Sequence, residues 1–472
     1  MTENTVNSKQ KEYKPFPKAI SLKKLLGPSF IILALGLGSG EVILWPYMSA
    51  NYGLGIAWGA LIGITFQYFI NMEIERYALV KGESVFVGLQ KIVKWAPFWF
   101  ILSTFIGFGI PGIVAAAAQV FGTLVGFTEF KWIAIFFLVI IGLVLSTGKS
   151  VYNTMEKITK TVLLLGVPFV FILAVILSSP GDWSALAQGL VGQGDGYMFL
   201  PEGIVIASFL AAFAYAGAGG NLNLTQSIYV KEKGYGMGKY SQKISGLFGG
   251  NKQEEVKLEG ENFEINEENL SNFRSWWKQI STEHLIVFWT IGLISMCMLM
   301  LLSFTTVYGL PGNTESINFV INQGTVIGQR LFPAMGSVFL FVVGVMLFQT
   351  QLGVLDSTSR IMSENFALAK LDKQKGSKIN LSKIYYVFLW AQIAFGTLFF
   401  LFDIKEPKAL IILAAVLNAV AMFAHVGLVN WMNHKVLPKE VQAGIWRKAL
   451  MIVIFLFLGG FSLITLIDKL FG

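Results

Sequence analysis

The chain has 472 residues, of which 54% are hydrophobic and only 14% charged, with a mean hydropathy of +0.62. A water-soluble protein carries about 25% charged residues, so these values exclude an ordinary soluble protein and leave a polytopic membrane protein. The net charge of +8 then reads as a topology signal, with no nucleic-acid partner expected. The single cysteine, Cys297, excludes an intrachain disulfide or a Cys-rich metal site.

Residues 1–25 form a polar, Lys-rich tail with no cleavage site behind it, which predicts no removed leader. Eleven apolar spans follow, at 26–51, 54–80, 96–125, 131–148, 158–178, 201–230, 284–307, 333–356, 383–402, 408–432 and 447–468. With the amino terminus in the cytoplasm, all but five of the 36 Lys and Arg residues fall on the cytoplasmic side. The exceptions are Lys131, Arg330, Lys405, Lys408 and Lys469. That asymmetry predicts a multi-pass protein of the cell membrane with a cytoplasmic amino terminus and an extracytoplasmic carboxyl terminus.

Span 1 reads LGPSFIILALGLGSGEVILWPYMSAN from Leu26 to Asn51. Its middle holds Gly36, Gly38, Ser39, Gly40 and Glu41, and each glycine weakens a helix by roughly 1 kcal/mol. Glu41 puts an ionisable group near mid-membrane, where such groups are expensive and mark function. A mid-membrane break is tolerated only where protein or a water-filled cavity satisfies the freed backbone.

Residues 179–200 form a Gly-rich external loop without Lys or Arg. Span 6 then supplies the partner break, with Gly217, Ala218, Gly219 and Gly220 followed by Asn221, Asn223 and Gln226. Spans 1 and 6 hold equivalent places if 26–178 and 201–432 are two five-helix repeats of opposite topology. Paired Gly-interrupted spans point to a transporter's central site; the alternative is close helix packing through small residues.

The cytoplasmic insert 231–282 carries eight basic and eight acidic side chains and reads mainly as a disordered or surface-lying segment. A short amphipathic helix around Phe273, Trp276 and Trp277 is the alternative. A short external helix is expected between Thr314 and Arg330, and residues 433–472 supply a cytoplasmic linker and helix 11.

The end of span 2, ERYALVKGESVFVGL (Glu75 to Leu89), the stretch STGKSVYNTMEKITK (Ser146 to Lys160) and LDSTSRIMSENF (Leu355 to Phe366) resemble segments of the Nramp metal-ion transporters. The resemblance covers most of the chain at low identity. It implies an all-α, LeuT-type fold of about eleven transmembrane helices, built as a 5+5 inverted repeat with helices 1 and 6 broken. The chain departs from the family at the metal site. Where Nramp proteins carry Asp-Pro-Gly-Asn and Met-Pro-His, it has Gly38-Ser39-Gly40-Glu41 and Gly219-Gly220-Asn221. The acid the family uses for proton movement in span 3 is missing from GIPGIVAAAAQVFG, and the second histidine of span 6 corresponds to Gln226.

The candidate substrate-binding set is therefore Gly38, Ser39, Gly40, Glu41, Trp45, Tyr215, Gly219, Gly220, Asn221, Asn223, Gln226, Gln349 and Asn418. Gln351 and Gln119 are further mid-span amides. One carboxylate, several amides and nearby aromatics suit a small neutral, hydroxyl-rich solute, a monosaccharide such as glucose, carried by alternating access. The resemblance recommends a divalent cation, Mg2+ or Mn2+, as the alternative. Glu41 would then be its ligand; otherwise no metal and no cofactor is expected. An amino acid is a further alternative, suggested by the likeness of the GSG turn to that of amino acid permeases, and Glu41 is the candidate carrier of a co-transported proton. His425 is expected to be structural and Asp356 to make a gate or loop contact. No phosphate loop, HExxH or paired-His motif is present, so no enzyme is expected.

Overall fold

The computed structural model describes residues 13–22, 25, 27–147, 151–241, 258–373 and 379–471. Among these, nine helical segments are long and apolar enough to cross a membrane. A shorter apolar helix, Lys131–Thr147, supplies span 4, and the two halves of span 6 complete eleven.

Span 1 is interrupted as its glycines predict. Helix Pro28–Gly36 ends in a turn at Leu37 and Gly38, a wide π-turn runs from Ser39 to Leu44, and helix Trp45–Tyr52 completes the crossing. Span 6 breaks between Ile206–Ala214 and Thr225–Lys233. Its turn places Gly217, Gly219 and Gly220 at φ of 120°, 67° and 53°, in the region where a Cβ is costly. Span 3 is interrupted at Ile110 and Pro111, because proline offers no N–H to continue the ladder.

Burial orders the bundle. The apolar window of span 1 is 94% buried, whereas those of spans 5 and 11 are 28% and 22% buried and face lipid along most of their length. Span 8, Pro333–Lys373, is longer than its 333–356 reading. It packs along both halves of span 3 and carries Asp356 and Arg360 well inside the protein. The short helix expected between Thr314 and Arg330 occupies Asn318–Arg330.

The insert differs most from its main reading. Residues 242–257 lie outside the described residues, as do 1–12. However, Glu267–His284 is a helix that continues through a π-turn into span 7. Its apolar face is buried, with Phe273 and Trp276 5% and 2% exposed. The amino-terminal segment covers that face. Trp276 Nε1 donates to Pro17 O (2.9 Å), Phe16 N donates to Asn269 Oδ1 (2.9 Å), and the Phe16 ring sits edge-on to Phe263 and Phe273. A polar composition hid this contact because few apolar residues suffice for it when all lie on one helix face.

Candidate functional site

The two breaks meet backbone to backbone. A Cβ added to Gly40 would lie 1.8 Å from the carbonyl oxygen of Tyr215, and one on Gly36 would lie 2.6 to 2.7 Å from the backbone of Gly217. Gly38 lies under Thr350 of span 8, whose hydroxyl donates to Ala34 O (3.0 Å) and so holds a carbonyl beside the break.

Side chains of neighbouring spans satisfy the backbone that the second break frees. Gln67 of span 2 donates to Ala214 O (2.9 Å) and accepts from Gly219 N (3.0 Å). His425 of span 10 donates from Nε2 to Gly220 O (3.0 Å). Asn418 Nδ2 lies 2.8 Å from Gly107 O, 2.9 Å from the Tyr215 hydroxyl and 3.0 Å from Ala414 O, with two protons to share among three acceptors. His425 thus holds the backbone of the second break. Gln67 was not singled out in the sequence; its signal was an amide inside the apolar run of span 2.

At the junction is a small cavity of ≈ 10 Å³, room for about one water molecule. Ser39, Tyr215 and Gln351 give it polar groups, while Phe108, stacked on Tyr215 at 6.5 Å and 24°, gives it a flat apolar wall. No charged side chain lines it.

The remaining candidates point elsewhere. Asn221 donates to Ser103 (2.8 Å) and Thr104 (3.0 Å) of span 3. Asn223 donates to Gln67 (3.1 Å) and Asn71 (2.7 Å), and Gln226 to Glu75 (2.8 Å), all on span 2. Gln349 donates to Thr159 of span 5 (3.2 Å). Trp45 is fully buried with its ring edge-on to Phe209. Each of these is tied into helix packing. The amide oxygens of Asn221, Asn223, Gln226 and Asn418 are buried and make no hydrogen bond among the described residues.

Glu41 is fully buried, and neither carboxylate oxygen has a hydrogen-bond partner among the described residues. It faces span 7, with Oε1 3.8 Å from where a Cβ on Gly292 would stand, and the apolar Leu33 and Ile64 border the same spot. It therefore does not line the cavity. Among the described residues no group of three or more His, Cys, Asp or Glu side chains could hold a metal ion.

On the amino-terminal side of the breaks lies a buried cluster of charges. Arg360, without exposed surface, donates to both Asp356 oxygens (2.9 Å each) and to Glu232 (2.6 Å) at the end of span 6. Lys231 pairs with Glu364 (3.1 Å). Ser29, the second residue of helix Pro28–Gly36, donates to Glu283 and lies 2.8 Å from His284 Nδ1 at the entry to span 7. Asp356 is thus part of a buried ion-pair network joining spans 6, 8 and 9, where Tyr385 also donates to it (2.8 Å).

Comparison with solved structures identifies the fold. A variant of the Eremococcus coleocola manganese transporter superimposes with a TM-score of 0.68 at 13% identity, over 98% of this chain and 90% of that one. A nucleobase-cation-symport-1 family transporter with bromovinylhydantoin bound gives 0.51 at 14% identity, over 95% and 91%. MhsT in complex with L-phenylalanine gives 0.51 at 13% identity, over 92% and 98%. No protein-family model and no curated protein sequence matches the chain. The chain therefore has the LeuT-type architecture expected from its paired breaks, at sequence identities that speak to fold alone.

Proposed function

We propose that this chain is a secondary transporter working by alternating access about the paired breaks of spans 1 and 6, with its amino terminus in the cytoplasm. Its cargo in this reading is a small neutral, hydroxyl-rich molecule, a monosaccharide such as glucose. The observation that carries the proposal is the lining of the junction: a serine hydroxyl, a phenol, an amide and an aromatic wall, with no charge among them. Such groups replace the hydration shell of an uncharged polyol, whereas an ion would meet no opposite charge there. The manganese transporter's name does not bear on the cargo of a chain 13% identical to it.

In this conformation the junction is too small for a sugar, so loading requires the two halves to part. The helix Pro28–Gly36 would swing about Leu37 and Gly38. The half Thr225–Lys233 would move about Gly217 to Gly220 while the Arg360 network and the Ser29 contacts release. Glu41, buried and without a hydrogen-bond partner among the described residues, needs a proton or a cation at this depth, since an isolated ionised carboxylate there costs several kcal/mol. We assign it the coupling role.

One observation favours a second reading, a hydrated divalent cation such as Mg2+: the same carboxylate beside the break, without a partner among the described residues. Uptake into proteoliposomes separates the two. Saturable glucose entry, with KM raised by Ser39→Ala and by Gln351→Ala, is the expected result. No saturable sugar entry, together with Mg2+ entry abolished by Glu41→Gln, would replace the first reading by the second.

A further inference from the structure

The surface between spans 10 and 11 carries a feature the transport reading does not use. A groove of ≈ 570 Å³ runs between Pro407–Val436 and Ile445–Phe471. Ala424, Leu428, Ile452 and Phe455 line its length, Trp431 flanks it, and His434 and Lys448 close one end. Ile452 and Trp431 are 51% and 45% exposed, so the apolar part opens onto the hydrocarbon side of the bundle. Gly427 lets the two helices approach, since a Cβ there would meet the Phe455 ring at 2.6 Å.

The closed end is cationic. Lys448 Nζ lies 3.1 Å from His434 Nδ1 and donates to Gln442 Oε1 (2.9 Å), which leaves a proton of the ammonium directed away from both. Lys435 Nζ sits 5.1 Å from the centre of the Trp431 ring, and Lys439 follows on the same loop. Lys448 and Lys435 are not ion-paired with a carboxylate among the described residues, whereas the neighbouring Arg447 is occupied by Glu73 (3.0 Å). Glu440 is the one acid on the loop between the two spans, and it is exposed.

We propose that this groove is a binding site for an anionic phospholipid of the leaflet that the loop faces. The headgroup phosphate lies against Lys448, His434 and Lys435, and an acyl chain fills the apolar length. Charge selects the lipid class. A zwitterionic headgroup would return a cation to a site that already holds two lysines, while an anionic one would not. The tail requirement separates the lipid from free phosphate, which gains nothing from Leu428, Ile452 and Phe455. Occupancy would clamp the peripheral span 11 to span 10, whose Asn418 and His425 hold the second break.

The test uses the full chain in detergent, with phosphatidylglycerol and phosphatidylcholine of equal chain length titrated separately and bound lipid counted by native mass spectrometry. The expected result is tighter retention of phosphatidylglycerol. Each of Lys448→Ala and Lys435→Ala should reduce it about fivefold, the equivalent of about 1 kcal/mol per basic residue. Lys448→Arg should preserve it, and Ala424→Leu, which narrows the groove without touching charge, should weaken both lipids together. Equal retention of the two lipids by the wild type, or retention unchanged in the double lysine variant, would overturn the proposal. So would displacement of phosphatidylglycerol by inorganic phosphate at matched ionic strength, because that would mark a phosphate site without a tail. Melting curves of the variants without added lipid show whether any loss comes from misfolding; the Lys435→Ala variant keeps the test decisive if Lys448→Ala misfolds.

Discussion

Gly40→Ala tests the contact on which the architecture depends. The added methyl would stand 1.8 Å from the carbonyl oxygen of Tyr215, and real Cβ contacts stay beyond 3.0 Å, so the breaks would have to separate by at least about 1.2 Å. The obstacle is backbone, so no rotamer change relieves it, and the neighbouring Gly36 to Gly217 contact allows no compensating slide. Overpacking of this kind costs typically 1–3 kcal/mol, and a backbone clash belongs at the upper end. Gly460→Ala is the control: it also adds a methyl to a membrane helix, but nothing lies within 4 Å of its Cβ. That variant should melt at or slightly above the wild-type temperature, since alanine is the better helix former by about 1 kcal/mol. The assay is the apparent melting temperature in detergent, with transport in proteoliposomes as the second readout. If Gly40→Ala melted with Gly460→Ala, the close approach of the two breaks would be wrong.

Further outcomes follow from the polar contacts. Arg360→Met strands Asp356 and Glu232 as buried, unpaired acids and should cost about 3–5 kcal/mol, seen as a lowered melting temperature. Adding Asp356→Leu and Glu232→Leu should restore most of the loss, and no recovery would show that the network does more than neutralise itself. Gln67→Leu removes the partner of both Ala214 O and Gly219 N at the second break and should cost about 1–3 kcal/mol for each group left unsatisfied. A Gln67→Leu protein as stable as the wild type would argue that the turn is held by other means. Trp276→Ala deletes the donor to Pro17 and a large buried ring, and should make the amino-terminal segment cleavable by protease at concentrations that leave the wild type intact. On the opposite surface, hydrogen bonds from Lys131 and then Lys405 hold the Asp403 carboxyl below its ordinary range. Any stability from that group is present above the ordinary carboxylate pKa and is lost as pH falls through the lowered one. Because Asp403 is exposed and its ion pairs lie at the surface, Asp403→Asn should leave the neutral-pH melting curve unshifted, and a clear drop would contradict that reading.

Much of the architecture is set by local chemistry and is therefore readable from the chain. Apolar length sets the spans, because a bilayer demands roughly 20 apolar residues per crossing. The breaks fall where they do because three glycines in Gly36 to Gly40 and three in Gly217 to Gly220 cannot hold a helix, and Pro111 cannot continue one. The direction in which each polar side chain points is not local. Glu41 is one residue from Gly40, which touches span 6, yet its carboxylate faces span 7; Asn221 and Asn223 are two residues apart and bond to spans 3 and 2. On a helical turn about 100° separates neighbours, so which of several amides meets the cavity depends on how the helices are rotated against one another. That rotation is fixed by contacts from distant parts of the chain, Gln67, Thr350, Asn418 and His425 among them, and it exists only once the bundle has assembled.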